Sequence, residues 1–169
     1  DTDTDTDTDV DTVDEVDPDA PCTVTGHTAG TQVGYLYPGD AYVVVDQDAE
    51  AAPYNELALE VYESAGGPTG PFTHTVDDEN YETCAICVTG GRDCSGEAGC
   101  SQRFLGIVGE LDVTEAAGTD GGAVKGTATG LKLFEVVIDG DTYKSSYVKD
   151  GAVWCVDNWT MDATLVDDS

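Results

Sequence analysis

The chain has 169 residues and a formal charge of −29, with 35 Asp and Glu against six Lys and Arg. That balance argues against nucleic acid and anionic membrane as partners and favours divalent cations, basic partners or a saline medium, a halophilic surface being one source of it. No apolar run is long enough to span a bilayer, and no signal h-region is present; a start at Asp rather than Met reads as a mature fragment, processed or trimmed, with any export signal expected in the part removed.

Residues 1–20 form an acidic arm. From Asp1 to Asp9 every odd residue is Asp and every even residue Thr, and the first twenty residues hold ten acidic side chains and no basic one. Such a segment buries too little apolar surface to offset its ordering entropy. A period of two places Asp1, Asp3, Asp5, Asp7 and Asp9 on one face of an extended strand and Thr2, Thr4, Thr6 and Thr8 on the other, ahead of Val10. Three ligands suit it: an exposed sheet edge on its own domain or on a neighbour, Ca²⁺ along the Asp row, and O-glycans on the four threonines. A solvated spacer is the plainer alternative.

From residue 21 to 169 the pattern is that of one folded domain. TQVGYLY (Thr31 to Tyr37) and YVVVD (Tyr42 to Asp46) flank the turn Pro38-Gly39-Asp40. LALEVY (Leu57 to Tyr62) alternates apolar and polar, although Glu50 to Leu59 also fits a short helix interrupted early by Pro53. Strands are predicted at Phe72 to Val76 and Thr83 to Thr89. In RFLGIVGELDVTEA the residues Leu105, Ile107, Gly109, Leu111 and Val113 are predicted to share one face. In GTATGLKLFEVVID, Leu131, Leu133, Glu135 and Val137 alternate with Lys132, Phe134, Val136 and Ile138, and Asp139-Gly140 signals a hairpin. Val153 to Val156 and Met161 to Val166 close the chain. Many short strands at regular spacing predict an all-β domain, an antiparallel β-sandwich or jelly-roll-like fold carrying the extended N-terminal arm.

Six cysteines, Cys22, Cys84, Cys87, Cys94, Cys100 and Cys155, in an acidic Gly- and Thr-rich chain point to disulfides and an oxidising compartment. The spacing C-x2-C-x6-C-x5-C is no standard zinc ribbon, and no βαβ pattern supports a redox CxxC. If Cys84 and Cys87 lie within a strand, their odd separation turns them to opposite faces and to different partners. Fifteen connectivities are open.

No catalytic constellation stands out, and no resident cofactor is indicated. His27 and His74 sit alone in Thr-rich strand settings, no nucleophile elbow, HExxH, phosphate loop or dinucleotide fingerprint occurs, and the Asp repeat lacks the Gly and Glu of an EF-hand. Asn158-Trp159-Thr160 is formally a glycosylation sequon in a predicted strand. The eight tyrosines read mainly as half-buried strand residues rather than a sugar platform.

The segment NYETCAICV, followed by Cys94, Cys100 and the late VWCVDNWTMDATL, resembles secreted proteins and lipoproteins of myxobacteria and their relatives. The matching positions are Asn80, Tyr81, Thr83, Cys84, Cys87, Val88, Cys94, Cys100, Trp154, Cys155, Asp157 and Ala163, with Met161 where that group has an aromatic residue. The resemblance covers about residues 55 to 166; it implies an exported domain and no catalytic residue.

These observations lead to the expectation of a non-enzymatic structural subunit of an extracellular filament or surface layer, self-associating through the arm, with a neighbour receiving it as a donor strand. A monomeric module that binds cations or glycans, displayed on an acidic spacer, is the alternative.

Overall fold

The computed structural model describes residues 10–77 and 80–168, apart from the Glu97 side chain. The repeat Asp1 to Asp9, with its four threonines and any Ca²⁺ along its Asp row, lies outside the described residues.

The described chain is all-β. Its strands are β1 (Thr12–Val13), β2 (Val24–Thr25), β3 (Thr31–Tyr37), β4 (Ala41–Gln47), β5 (Tyr54–Tyr62) and β6 (Phe72–Thr75). They continue with β7 (Ile86–Cys94), β8 (Cys100–Ala116), β9 (Ala123–Ile138), β10 (Ser145–Val148) and β11 (Val153–Asp167). β3, β4, β5, β7, β8, β9 and β11 pair in that order, and β11 pairs back to β3, so seven strands close into a ring. Closure removes the open edges that a flat sheet would expose. The pairing is mixed: β11 runs parallel to β3 and to β2, where the sequence predicts antiparallel neighbours throughout.

The alternation read in Leu57 to Tyr62 holds, and it makes β5 rather than a helix: Leu57, Leu59 and Val61 enter the core while Glu60 and Tyr62 face outward. Proline and the polar turn before Tyr54 leave no room for a helix of useful length. Inside the ring, Trp154, Trp159, Tyr42, Phe104 and the leucines of β5, β9 and β11 form one buried cluster. Gly90 lets the Trp154 ring lie against β7, since a β-carbon there would stand 2.9 Å from it.

β8 corrects one expectation. Leu105 does not share a face with Leu111 and Val113. It packs outside the ring, whereas the other two join the core. Register shifts between Gly106 and Val108 and between Val108 and Glu110 reverse the alternation, helped by Gly109 at φ 143°. The two closing strands read from sequence are one continuous β11.

A second buried cluster lies outside the ring. Leu105, Phe134, Val136, Tyr147 and Val153 are covered by Val13, Val16 and Ala20 of the N-terminal segment. β1 extends the free edge of β10, with Thr12 opposite Val148 and Val13 opposite Tyr147. Lys132 donates to the carbonyls of Pro18 and Ala20, and Lys149 Nζ lies 3.5 Å from Asp11. The described part of the arm therefore adds as a strand to its own domain. Between Leu131 and Val136 both faces of β9 are covered for the same reason, Leu131 and Leu133 in the ring and Phe134 and Val136 beneath this cover.

The cysteines pair Cys22–Cys155, Cys84–Cys87 and Cys94–Cys100. The expectation of different partners for Cys84 and Cys87 fails because β7 begins only at Ile86. Cys84 sits in the preceding turn, so strand alternation does not apply to it.

Candidate functional site

Three tyrosines far apart in sequence meet outside the ring. Tyr62 ends β5, Tyr81 lies in the turn before β7, and Tyr143 lies in the β9–β10 connection. The outward-facing Glu60 organises the first two. Tyr62 and Tyr81 donate to Glu60 Oε2 at 2.5 and 2.6 Å, Thr89 donates to Oε1 at 2.8 Å, and the two phenol oxygens are 2.8 Å apart. Burial first, then the neighbouring Glu60 charge, pushes both phenols well above their ordinary range, so they remain protonated donors.

The turn carrying Tyr81 is fixed from several sides. Tyr81 N–H donates to Ser145 Oγ at 2.9 Å, the Asn80 side chain bridges the backbone of Ser145, and the Cys84–Cys87 bond closes the turn. Tyr143 stands at φ 59° and is 61% exposed. Beside the three tyrosines is a pocket of about 320 Å³. Adjoining it, and sharing Tyr81 and Tyr143, runs a groove of about 540 Å³ floored by Thr89, Gly90 and Arg103 and walled by β9 from Glu135 to Ile138. Val10, Val137 and Tyr143, three of the five large hydrophobic side chains that are exposed among the described residues, border this groove. Arg103, half exposed and 3.6 Å from Glu56, supplies its positive charge.

A second polar constellation closes one end of the ring. Asp46 is fully buried and accepts from Gly30 N–H, Gln32 Nε2 and Trp159 Nε1 at 2.9, 3.0 and 3.0 Å. His27 Nε2 stands 3.6 Å from Oδ1, the oxygen that accepts from Gly30, beyond hydrogen-bond length, with its ring 6.0 Å from Trp154. Burial raises the Asp46 carboxyl, but the His27 ring and the Gly30 and Trp159 donors outweigh that and hold it below the ordinary carboxylate range. With its acceptors filled from within, this group clamps the segment from His27 to Gln32 onto the ring. A polar cleft of about 310 Å³ lies outside it between His27, Asp48, Asn55 and Arg92.

Of the residues singled out from sequence, the six cysteines are brought together as three pairs. Glu56 lies within 4.8 Å of the sulfurs of Cys94 and Cys100, but these are bonded to each other and offer no thiolate to zinc. Val10 lies at the groove, exposed. His74 is on β6, far in sequence from His27 on its loop. In the sequon, Asn158 and Thr160 are exposed on β11 with Trp159 buried between them. The tyrosines divide: Tyr42 and Tyr147 are buried, while Tyr62, Tyr81 and Tyr143 make the site. Sequence reading missed that convergence, since nothing in the local spacing joins residues 62, 81 and 143.

The architecture is that of a disulfide-stapled β-ring with a groove on its outer face. No family model matches the chain, and searches of curated proteins and of solved structures found no match. No helix among the described residues is long and apolar enough to cross a membrane.

Proposed function

We propose that this chain is an exported, non-enzymatic binding module, carried on its acidic N-terminal segment and taking a small ligand in the groove beside Tyr81 and Tyr143. The observation that carries this reading is the gathering of exposed Val10, Val137 and Tyr143 on one concave surface that also holds Arg103 and a braced Tyr–Glu cluster. A few polar groups converging in an apolar concavity are the usual form of a ligand site. Exposed apolar side chains on so acidic a surface need a reason, and a partner supplies one. Three disulfides favour an oxidising, extracellular setting, as does the resemblance to secreted myxobacterial proteins.

The filament reading has one observation in its favour: β1 shows that this segment can add as a strand to a sheet edge. The edge it occupies belongs to its own chain, which favours the module. Ligand-observed NMR against neutral oligosaccharides and small organic cations tests the proposal. Saturable signals lost in Tyr143→Ala are expected. Absence of any signal, or signals equal in the variant, would remove it.

A further inference from the structure

The tyrosine pocket specifies its ligand more closely than the groove does. Tyr62, Tyr81 and Tyr143 line one space of about 320 Å³, with Glu82 and Ser64 at its border. Aromatic faces carry negative electrostatic potential and attract cations. Two features of this pocket strengthen that attraction. Tyr62 and Tyr81 donate their hydroxyl protons to Glu60, which pushes electron density back into both rings. The chain as a whole carries −29, so its field concentrates cations at the surface.

The nature of the cation follows from what the pocket lacks. Both oxygens of Glu60 are already engaged, Oε2 by the two tyrosines and Oε1 by Thr89. Glu60, with three donors already on it, thus contributes mainly charge, and the Glu82 carboxylate and Ser64 hydroxyl at the border are exposed, where pairing with an ammonium adds little. A primary ammonium entering here would leave N–H groups poorly paired, at a cost for each. A quaternary ammonium has no N–H to satisfy and is held by charge and ring contact alone. The Tyr81 wall is also set in advance, through Ser145, Asn80 and the Cys84–Cys87 bond, so little ordering of that side is needed on binding.

We propose that this pocket binds a quaternary ammonium group. The proposal rests on the reading of this face as the ligand-binding one, and the experiment separates the two. Intact, disulfide-bonded protein is titrated with choline chloride and with ethanolamine hydrochloride at constant ionic strength, followed by heteronuclear NMR. Saturable choline shifts centred on Tyr62, Tyr81 and Tyr143 are expected, with choline favoured over ethanolamine by about fivefold or more. Tyr143→Ala should weaken choline about tenfold without changing thermal unfolding, because that side chain is exposed.

Equal binding of choline and ethanolamine, or an unchanged Tyr143→Ala, would overturn the proposal. So would oligosaccharide binding in the groove without choline binding, which leaves the groove reading standing. Absence of both would end both. Sedimentation with phosphatidylcholine vesicles, against phosphatidylglycerol vesicles, identifies the source. Pelleting with the first alone assigns a lipid headgroup, and choline saturation without pelleting assigns a soluble solute; either supports the pocket's chemistry.

Discussion

Asp46 keeps its charge inside the ring because four neighbours face it: Gly30, Gln32, Trp159 and His27. Asp46→Ala would strand the buried Trp159 donor and remove the partner of Gly30, and should cost about 2–3 kcal/mol, read from urea midpoints. The pH dependence has a definite sign. The folded carboxyl titrates below its unfolded counterpart, so its stabilisation is complete above the unfolded range near 4 and fades as pH falls through the folded value. The stability gap between wild type and Asp46→Asn should accordingly narrow below about pH 4; a constant gap would show that the charge is not what matters. The tyrosines act at the other end of the scale. Tyr42, Tyr62 and Tyr81 are held up, chiefly by burial, while in the unfolded chain they ionise near 10. Their contribution is present below about pH 10 and is lost as pH rises beyond it. Alkaline spectrophotometric titration should therefore show these phenols ionising only with unfolding, and Tyr81→Phe should leave the early part of the curve unchanged.

At the scale of elements, the disulfides divide by the loops they close. Cys22–Cys155 spans 133 residues and Cys94–Cys100 spans 6. Chain-entropy arguments give about 5 kcal/mol for the first and about 2 kcal/mol for the second. The pair Cys22→Ala with Cys155→Ala should thus lower the urea midpoint more than Cys94→Ala with Cys100→Ala; the reverse order would mean that the N-terminal segment holds without its staple. Much of this level was legible in the sequence. Alternation located β3, β4 and β5, and the residues Pro38-Gly39-Asp40 placed the first hairpin correctly. What was hidden is non-local. The parallel contact of Leu165 to Asp167 with Gly34 to Leu36 closes the ring across the whole chain, and no local pattern encodes it. The bulges of β8 break the alternation just where it looked cleanest. The site was hidden likewise, since Tyr62, Tyr81 and Tyr143 share only a location in space.

For the whole molecule, charge is the dominant fact. Six basic residues answer 35 acidic ones, and several of the six are engaged within the chain: Lys132 on backbone carbonyls, Arg103 beside Glu56, Lys125 beside Glu115 and Lys149 beside Asp11. Repulsion among the remaining carboxylates opposes compaction, and salt screens it. Raising NaCl from low to molar concentration should stabilise the fold by on the order of 1 kcal/mol, a rise of about 2–4 °C in Tm. A fall in Tm would show that attractive ion pairs outweigh the repulsion. The same charge discourages close approach of copies, which bears on assembly. Residues 10–20 belong to the chain's own barrel, and on this reading the groove is open to a ligand. Sedimentation velocity on the intact chain and on a variant lacking residues 1–9 tests this most directly. Monomers in both, 17.6 kDa for the intact chain and correspondingly less for the deletion, at physiological and high salt, are the predicted result. Polymers in the intact protein that vanish with the deletion would contradict it and make the segment the arm of a filament.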